Sequence, residues 1–295
     1  MIIVKLMGGL GNQMFQYAFG RCLAIKTNSQ LKLDLSYLEN RGPNLNYTVR
    51  DYDLSIFNVC ENFIKPEETE SFKLVGNSFN RLQKIIVLRR QGKHYLNEKT
   101  ILLYKNVFDI KEDLYLDGYW QNEKYFKNIE SIIRQDFTFK TPLDTTAEAT
   151  AKEILETTAV SLNIRRGDYL KHQKFLYLCS KDYYIQAMDT IARTVSNPTF
   201  FIFSDEVDWC RTNLPFSKYP IKFINRELAG VKFQSYLKLV MLCKHHIISN
   251  STFAWWGAWL NPSKNKIVIS PRKWIRSLLY YRHNIDINPA GWIKL

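Results

Sequence analysis

The stretch Ile2-Ile3-Val4-Lys5-Leu6-Met7-Gly8-Gly9-Leu10-Gly11-Asn12-Gln13-Met14-Phe15-Gln16-Tyr17-Ala18-Phe19 decides the fold class. Ile2–Leu6 is a short apolar run that reads as a fully buried strand. Gly8, Gly9 and Gly11 form a turn, because glycine enters positive φ without steric cost. Asn12 can cap the helix after the turn. Met14, Phe15, Ala18, Phe19, Cys22 and Leu23 recur there three and four residues apart, one apolar face of that helix. Strand, glycine turn and helix open an α/β unit of the nucleotide-binding type. The turn lacks the third glycine of G-x-G-x-x-G and the Gly-Lys-Ser/Thr of a P-loop, so it is neither fingerprint. Backbone N–H groups and the helix N-terminus can still approach a phosphate or a sugar.

Further along, Leu31–Leu35 reads as a strand, Glu67–Phe72 and Phe79–Arg89 as helices, Leu114–Gly118 as a strand leading to Tyr119-Trp120-Gln121, and Lys124–Asp136 as a helix. Residues 140–150 are polar with one proline, which predicts a boundary between domains 1–140 and 151–295. Beyond it, strands at Val160–Ile164, Thr199–Phe203, Ile221–Ile224, His246–Ser249 and Lys266–Ile269 alternate with helices. Ser180 caps one of those helices. Short apolar strands alternating with helices predict parallel sheets covered on both faces.

The length of 295 residues suits two domains. No apolar run approaches the roughly 20 residues needed to cross a bilayer. Met1–Leu6 runs into the glycine turn without a basic leader or cleavage pattern, so a cytoplasmic location is expected. The 5 cysteines are dispersed and odd in number, which predicts buried thiols rather than a disulfide framework. A formal charge of +13 attracts polyanions: nucleic acid, anionic lipid headgroups or phosphorylated small molecules. No basic stripe interleaved with stacking rings accompanies it, which disfavours a nucleic-acid-binding protein. Peripheral contact with the inner face of an anionic membrane fits the charge better.

In open parallel sheets, ligands bind beyond the carboxyl ends of the strands. Those ends carry Gly8 to Asn12, Arg165-Arg166-Gly167-Asp168, Ser204-Asp205-Glu206, Asn225-Arg226-Glu227 and Asn250-Ser251-Thr252. Adjacent arginines at a strand end diverge. One can reach a ligand while the other pairs with a carboxylate such as Asp168. A guanidinium makes bidentate bonds to a diphosphate whose charge grows as it leaves. Ser251 and Thr252 open a helix, where their hydroxyls cap it or meet a phosphate. Trp255, Trp256 and Trp259 read as packing before they read as a sugar platform. Asp51-Tyr52-Asp53 is a D-x-D triplet with too few oxygen ligands for a hard metal. His245 and His246 are adjacent on a strand, point to opposite faces and lack zinc-ligand partners.

The segments Lys5–Tyr17, Asp117–Gln121, Asn163–Tyr169, Phe201–Asp205 and Cys243–Leu260 together resemble the bacterial α-1,2-fucosyltransferases of glycosyltransferase family 11, in order and over nearly the whole chain. The resemblance implies a GT-B-like α/β fold of two facing Rossmann-like domains with parallel sheets, the first on the acceptor side and the second holding the donor. It implies transfer of L-fucose, with inversion, from GDP-β-L-fucose to the 2-hydroxyl of a galactose-type acceptor in a surface glycan such as O-antigen, free or lipid-linked. No metal or other cofactor and no nucleic acid are implied. Carried over, Arg165 grips the diphosphate and Asp168 or Asp205 takes the acceptor proton. Gly9, Gly11, Asn12, Gln13, Asn163, Arg166, Ser204, Asn250, Ser251 and Thr252 contact substrates.

Two positions depart from the pattern. Asn163 stands where the family usually has His, and an amide can donate a hydrogen bond but cannot carry charge or act as a base. Gln234-Ser235-Tyr236 lacks the usual acid on the approach to Cys243, and Glu227 is the nearest carboxylate. Another nucleotide sugar as donor is the alternative these departures leave open.

Overall fold

The computed structural model describes residues 1–41, 49–65, 67–68, 72, 92–98, 107–110, 113–171, 176–215, 217–276 and 286–295. The helix expected over Phe79–Arg89, and most of that over Glu67–Phe72, lies outside them. The chain divides into two compact units, Met1–Lys140 and Thr141–Leu295.

In the first unit, β1 (Ile2–Lys5) leads through the glycine turn into α1 (Leu10–Lys26), followed by β2 (Leu31–Asp34). With β3 (Lys93–Asn97) and β4 (Asp113–Asp117) these strands form a parallel sheet in the order β2-β1-β4-β3. α1 buries Met14, Phe15, Ala18, Phe19, Cys22 and Leu23 completely. It lies so close to β1 that a Cβ on Gly20 would fall 2.1 Å from the Val4 side chain. Gly9 rather than Asn12 is the N-cap of α1, so Asn12 sits within its first turn. β3 is absent from the sequence reading because its side chains are only half-buried except for Leu96. The helix expected over Lys124–Asp136 is broken. Two 3-10 turns, Glu123–Tyr125 and Lys127–Ile129, precede α2 (Glu130–Asp136). Phe126 causes the break, with φ of −143° and its ring fully buried.

In the second unit the stretch read as a polar connection holds a helix, α3 (Thr145–Glu156). Its Ala147, Ala151 and Ile154 belong to the core, which places the start of this unit ahead of 151. Then follow β5 (Thr158–Ile164), α4 (Gly167–Lys171), α5 (Lys181–Thr194), β6 (Pro198–Ser204), α6 (Val207–Asn213) and β7 (Ile221–Phe223). The last elements are α7 (Gln234–Leu242), β8 (His245–Ile247), α8 (Thr252–Leu260), β9 (Val268–Ser270) and β10 (Ile293–Lys294). The sheet is parallel, in the order β10-β9-β8-β5-β6-β7.

Strand alternation divides the apolar residues between two layers. Val160, Leu162, Ile164, Phe200 and Ile202 pack against α5 and α6. Ala159, Phe201 and Phe203 pack against α3 and α7. Covering both faces leaves the carboxyl ends of β5, β6 and β8 as the open rim. The tryptophans of α8 are core: Trp255 and Trp256 are fully buried, Trp255 stacks on Trp259 at 6.0 Å, and its indole N–H donates to the Ile287 carbonyl. Ser180 caps α5, its hydroxyl accepting from the Tyr183 N–H at 3.2 Å. Among the described residues no helix is long and apolar enough to cross a membrane.

Candidate active site

In the second unit, β8, β5 and β6 are neighbours, so the polar residues that follow them converge. Arg165, just beyond β5, is held by two carboxylates. Its Nη2 donates to Asp168 Oδ2 at 2.7 Å, and its Nη1 lies 3.0 Å from Asp205 Oδ2. Burial opposes the charge on Arg165, but Asp205 and Asp168 outweigh it and hold its pKa above the ordinary value. Asp205 also accepts from the backbone N–H groups of Arg166 at 2.9 Å and Gly167 at 3.1 Å. It thus fastens β6 to the start of α4. A Cβ on Gly167 would press on this carboxylate at 3.0 Å.

Arg166 goes elsewhere. Its guanidinium lies over the Trp209 ring at 3.9 Å, and among the described residues it has no carboxylate partner. The sequence reading gave Arg165, by resemblance, the ligand and left the carboxylate to the other arginine, whereas the arginine that pairs with carboxylates is Arg165. Trp209 and Tyr169 were not among the expected site residues. The Tyr169 hydroxyl donates to the Asn250 carbonyl at 2.9 Å and its ring lies 6.0 Å from the Arg165 guanidinium. Aromatic residues on short helices carry no distinguishing pattern in sequence.

Beyond β8, Asn250 is a brace. Its amide donates to the carbonyls of Tyr177 at 2.6 Å and Trp274 at 2.7 Å, and its oxygen accepts from the Cys179 thiol at 3.7 Å. Ser251 caps α8, accepting from the Ala254 N–H at 3.5 Å, and Thr252 is the first residue of that helix. The Ser249 hydroxyl donates to Asn163 Oδ1 at 3.1 Å. Ser204 accepts from the Glu206 N–H at 2.9 Å and from the Cys210 thiol at 3.4 Å. Glu227 is exposed, and its carboxylate accepts from the Asn225 amide at 3.0 Å.

His246, on the same sheet face as Asn163, is completely buried, with Nδ1 2.8 Å from the Ser161 hydroxyl. Desolvation, reinforced by Lys266 and His245, pushes its pKa down to about 3, so it is a neutral core residue. Among the described residues no group of three or more His, Cys, Asp or Glu side chains is arranged to hold a metal ion.

The glycine turn belongs to the first unit, as do Gly9, Gly11, Asn12 and Gln13. Gly8 has φ of +72°, and the Gly9 carbonyl accepts from the N–H groups of Asn12 and Gln13. Gln13 is fully buried and its amide is engaged by backbone. It donates to the carbonyls of Gly8 and Asp51, each at 2.8 Å, and accepts from the Asp53 N–H at 2.9 Å. The D-x-D triplet therefore braces the glycine turn through its main chain, while the Asp51 carboxylate pairs with Arg41 at 2.6 Å. Gln16 makes a parallel brace, accepting from the Met7 N–H and donating to the Gly118 carbonyl. Asn12 Oδ1 accepts from Gln121 Nε2 at 2.9 Å.

A family model described as "Glycosyl transferase family 11" matches residues 91–294. An α-1,2-colitosyltransferase of Escherichia coli is 33% identical over 100% of this chain and 98% of its own length. The O-antigen biosynthesis glycosyltransferase WbnK of Escherichia coli is 31% identical over 98% of this chain and 99% of its own. Among solved structures, NodZ, an α-1,6-fucosyltransferase co-crystallised with GDP, superposes with a TM-score of 0.52 at 13% identity, covering 88% of this chain and 92% of NodZ. That likeness concerns the fold, which is the GT-B-like α/β type expected from sequence.

Proposed function

This chain belongs to glycosyltransferase family 11, and from that membership we propose that it transfers L-fucose from GDP-β-L-fucose to the 2-hydroxyl of a galactose-type residue in a surface glycan. The observation that carries the reading is the guanidinium pair at the carboxyl end of β5, one arginine fixed by two carboxylates and the other lying on Trp209.

The bond from C1 of the sugar to the β-phosphate breaks and its electron pair leaves with GDP. The acceptor oxygen attacks C1 from the opposite face, which inverts the anomeric centre. Arg165 keeps N–H donors beyond those bonded to Asp168 and Asp205, in a direction fixed before the reaction begins. Its charge is already matched by two carboxylates, so the net positive charge the leaving diphosphate needs comes from Arg166. The start of α8, at Ser251 and Thr252, adds the positive end of a helix. Of the two carboxylates, Asp168 is the more exposed, at 35% against 11% for Asp205. Asp168 therefore takes the acceptor proton, and Asp205 positions the loop. These roles need no metal, and activity is expected to survive EDTA.

The 33% identity to a colitosyltransferase favours a second reading, in which the sugar is colitose, an L-fucose without its 3-hydroxyl. The formal charge of +13 supports peripheral contact with anionic membrane, where a lipid-linked acceptor is met. Flotation with anionic liposomes checks that part, and no lipid dependence counts against it.

Thermal-shift titration with GDP, UDP, ADP and CMP in EDTA tests the donor, because a ligand bound only to the native state raises stability by mass action. A shift with GDP alone is expected. A shift with UDP alone discards both sugars. Turnover of GDP-fucose against GDP-colitose then separates the two.

A further inference from the structure

Beyond β9 the second unit continues as Pro271-Arg272-Lys273-Trp274-Ile275-Arg276. Arg272, Lys273 and Arg276 are exposed, while Trp274 among them is buried. The Trp274 indole N–H donates to Asn288 Oδ1 at 3.2 Å, and the Asn288 amide donates to the Pro271 carbonyl at 3.4 Å. The Trp274 carbonyl accepts from the Tyr177 N–H at 3.2 Å and from the Asn250 amide at 2.7 Å. Ile275 forms an antiparallel bridge with Leu176. The main chain of this stretch is therefore fastened to the unit, and its cations stand in solvent.

β10 lies alongside. The Arg272 N–H donates to the Leu295 carbonyl at 2.8 Å and its Nε to the Lys294 carbonyl at 3.2 Å. Arg272 thus rests against the edge strand that carries Ile293, an apolar side chain left 40% exposed. Residues 271–276 and 286–295 bear the cations Arg272, Lys273, Arg276 and Lys294, and Asp286 as their acidic side chain. Lys294 takes that carboxylate at 2.6 Å. Among the described residues Arg272, Lys273 and Arg276 have no carboxylate partner, unlike Lys218, which pairs with Asp189 at 2.8 Å. Like charges held together repel one another, and an anionic surface relieves this. Single-stranded nucleic acid would need rings to stack on, and the ring of this stretch is buried. Exposed cations beside an exposed aliphatic side chain suit lipid headgroups above an acyl layer.

We propose that Arg272, Lys273 and Arg276, with Ile293, form a docking surface for the anionic headgroups of a lipid bilayer. The inference rests on the membrane part of the reading above and assigns it a surface. The strands are parallel, so Arg272 follows the carboxyl end of β9 as Asn250 follows that of its neighbour β8. Docking here brings that rim of the second unit to the lipid.

The test is flotation of the full chain with vesicles of phosphatidylcholine alone or with about one third phosphatidylglycerol. Wild type is expected to float with the anionic vesicles and not with the neutral ones. Arg272→Gln, Lys273→Gln and Arg276→Gln together are expected to weaken partitioning about a hundredfold, roughly fivefold per cation. Lys273→Gln alone is expected to weaken it about fivefold, and Ile293→Ser about threefold. Arg193→Gln, Lys244→Gln and Lys264→Gln remove the same charge ahead of β6, β8 and β9, at the opposite end of the sheet. That second triple variant is expected to stay within about threefold of wild type, since screening confines each charge to its neighbourhood. Equal losses in the two triple variants assign the attraction to net charge and overturn the surface, while the membrane reading stands. Equal flotation of wild type on neutral and anionic vesicles also overturns it. No flotation of wild type on anionic vesicles overturns both. The GDP-induced thermal shift is expected in every variant and shows that they fold. Its loss in the first triple variant, at an unchanged Tm of the free protein, gives these cations to the nucleotide and overturns the proposal. If that variant unfolds, Lys273→Gln decides, and wild-type partitioning in it overturns the surface.

Discussion

The hydroxyl of Ser249 donates to the side-chain oxygen of Asn163 at 3.1 Å, joining the ends of two adjacent strands beneath the arginine pair. Asn163 is 8% exposed and Ser249 is fully buried. Asn163 is a group that does not titrate. Asn163→Ala leaves the Ser249 hydroxyl without its acceptor, at a cost of about 1–3 kcal/mol. We expect kcat/KM to fall about tenfold or more, on the same scale. Asn163→His is expected to keep most activity and to gain a dependence on pH near 6–7, the ordinary range of an imidazole. Pre-steady-state rates from pH 5.5 to 8.5 check this, and superimposable profiles for wild type and Asn163→His count against it.

The two arginines are predicted to fail differently. Arg165→Ala lowers kcat about 10²–10³-fold, the scale for removing preorganised N–H donors aimed at the leaving group. Arg165→Lys does not restore it, because a point charge cannot bridge Asp168 and Asp205 as a planar fork does. Arg166→Ala acts first on donor affinity and leaves the Arg165 ion pairs in place. Steady-state kinetics with GDP-fucose separates the two, and near wild-type turnover in Arg165→Ala sinks the assignment.

Gln13 is predicted to matter for stability rather than for substrate. Its side chain makes three hydrogen bonds to backbone, all within the first unit. Gln13→Ala leaves buried backbone groups unpaired and is expected to cost about 2–4 kcal/mol. Chemical denaturation measures this directly. An unchanged midpoint together with a raised donor KM returns Gln13 to the substrate-contact role.

His246 predicts an acid-sensitive second unit. Its pKa falls from 6.5 in the unfolded chain to about 3 in the fold, so the folded form resists a proton that the unfolded form accepts. The stability contributed by neutral His246 is complete above about pH 6.5 and declines as pH falls from there toward about 3, at up to about 1.4 kcal/mol per pH unit. Urea midpoints between pH 7.5 and 5, compared with those of His246→Gln, should show a shallower slope in the variant. Parallel slopes remove His246 as the cause.

Central strands such as β1 and β6 were legible in the sequence because they are apolar runs with both faces buried, as in Phe200–Phe203. The edge strands Lys93–Asn97 and Ile293–Lys294 were not, since partial exposure leaves no apolar run. The strand ends announced the polar clusters correctly as places, yet not the use of each side chain. Nothing in the order Arg165-Arg166 tells which guanidinium meets Asp205, 39 residues from the Arg166 N–H that the same carboxylate accepts. Gln13 was legible as part of a motif, but its partners are main-chain atoms 38 and 40 residues away at Asp51 and Asp53, and backbone carries no residue code. Asn250 misled for the same reason, its amide being directed at the carbonyls of Tyr177 and Trp274.

The contact between Arg166 and Trp209 also supplies an optical handle. Of the 7 tryptophans, Trp120 is in the first unit and the rest are in the second. Most of those, such as Trp255 and Trp256, are sealed in the core, whereas the Trp209 ring is only half-buried and lies 3.9 Å from a guanidinium. An anion that draws Arg166 off that ring changes the emission of one indole against a constant background. Intrinsic fluorescence, read without any label, can then time the arrival and departure of such an anion at the second unit.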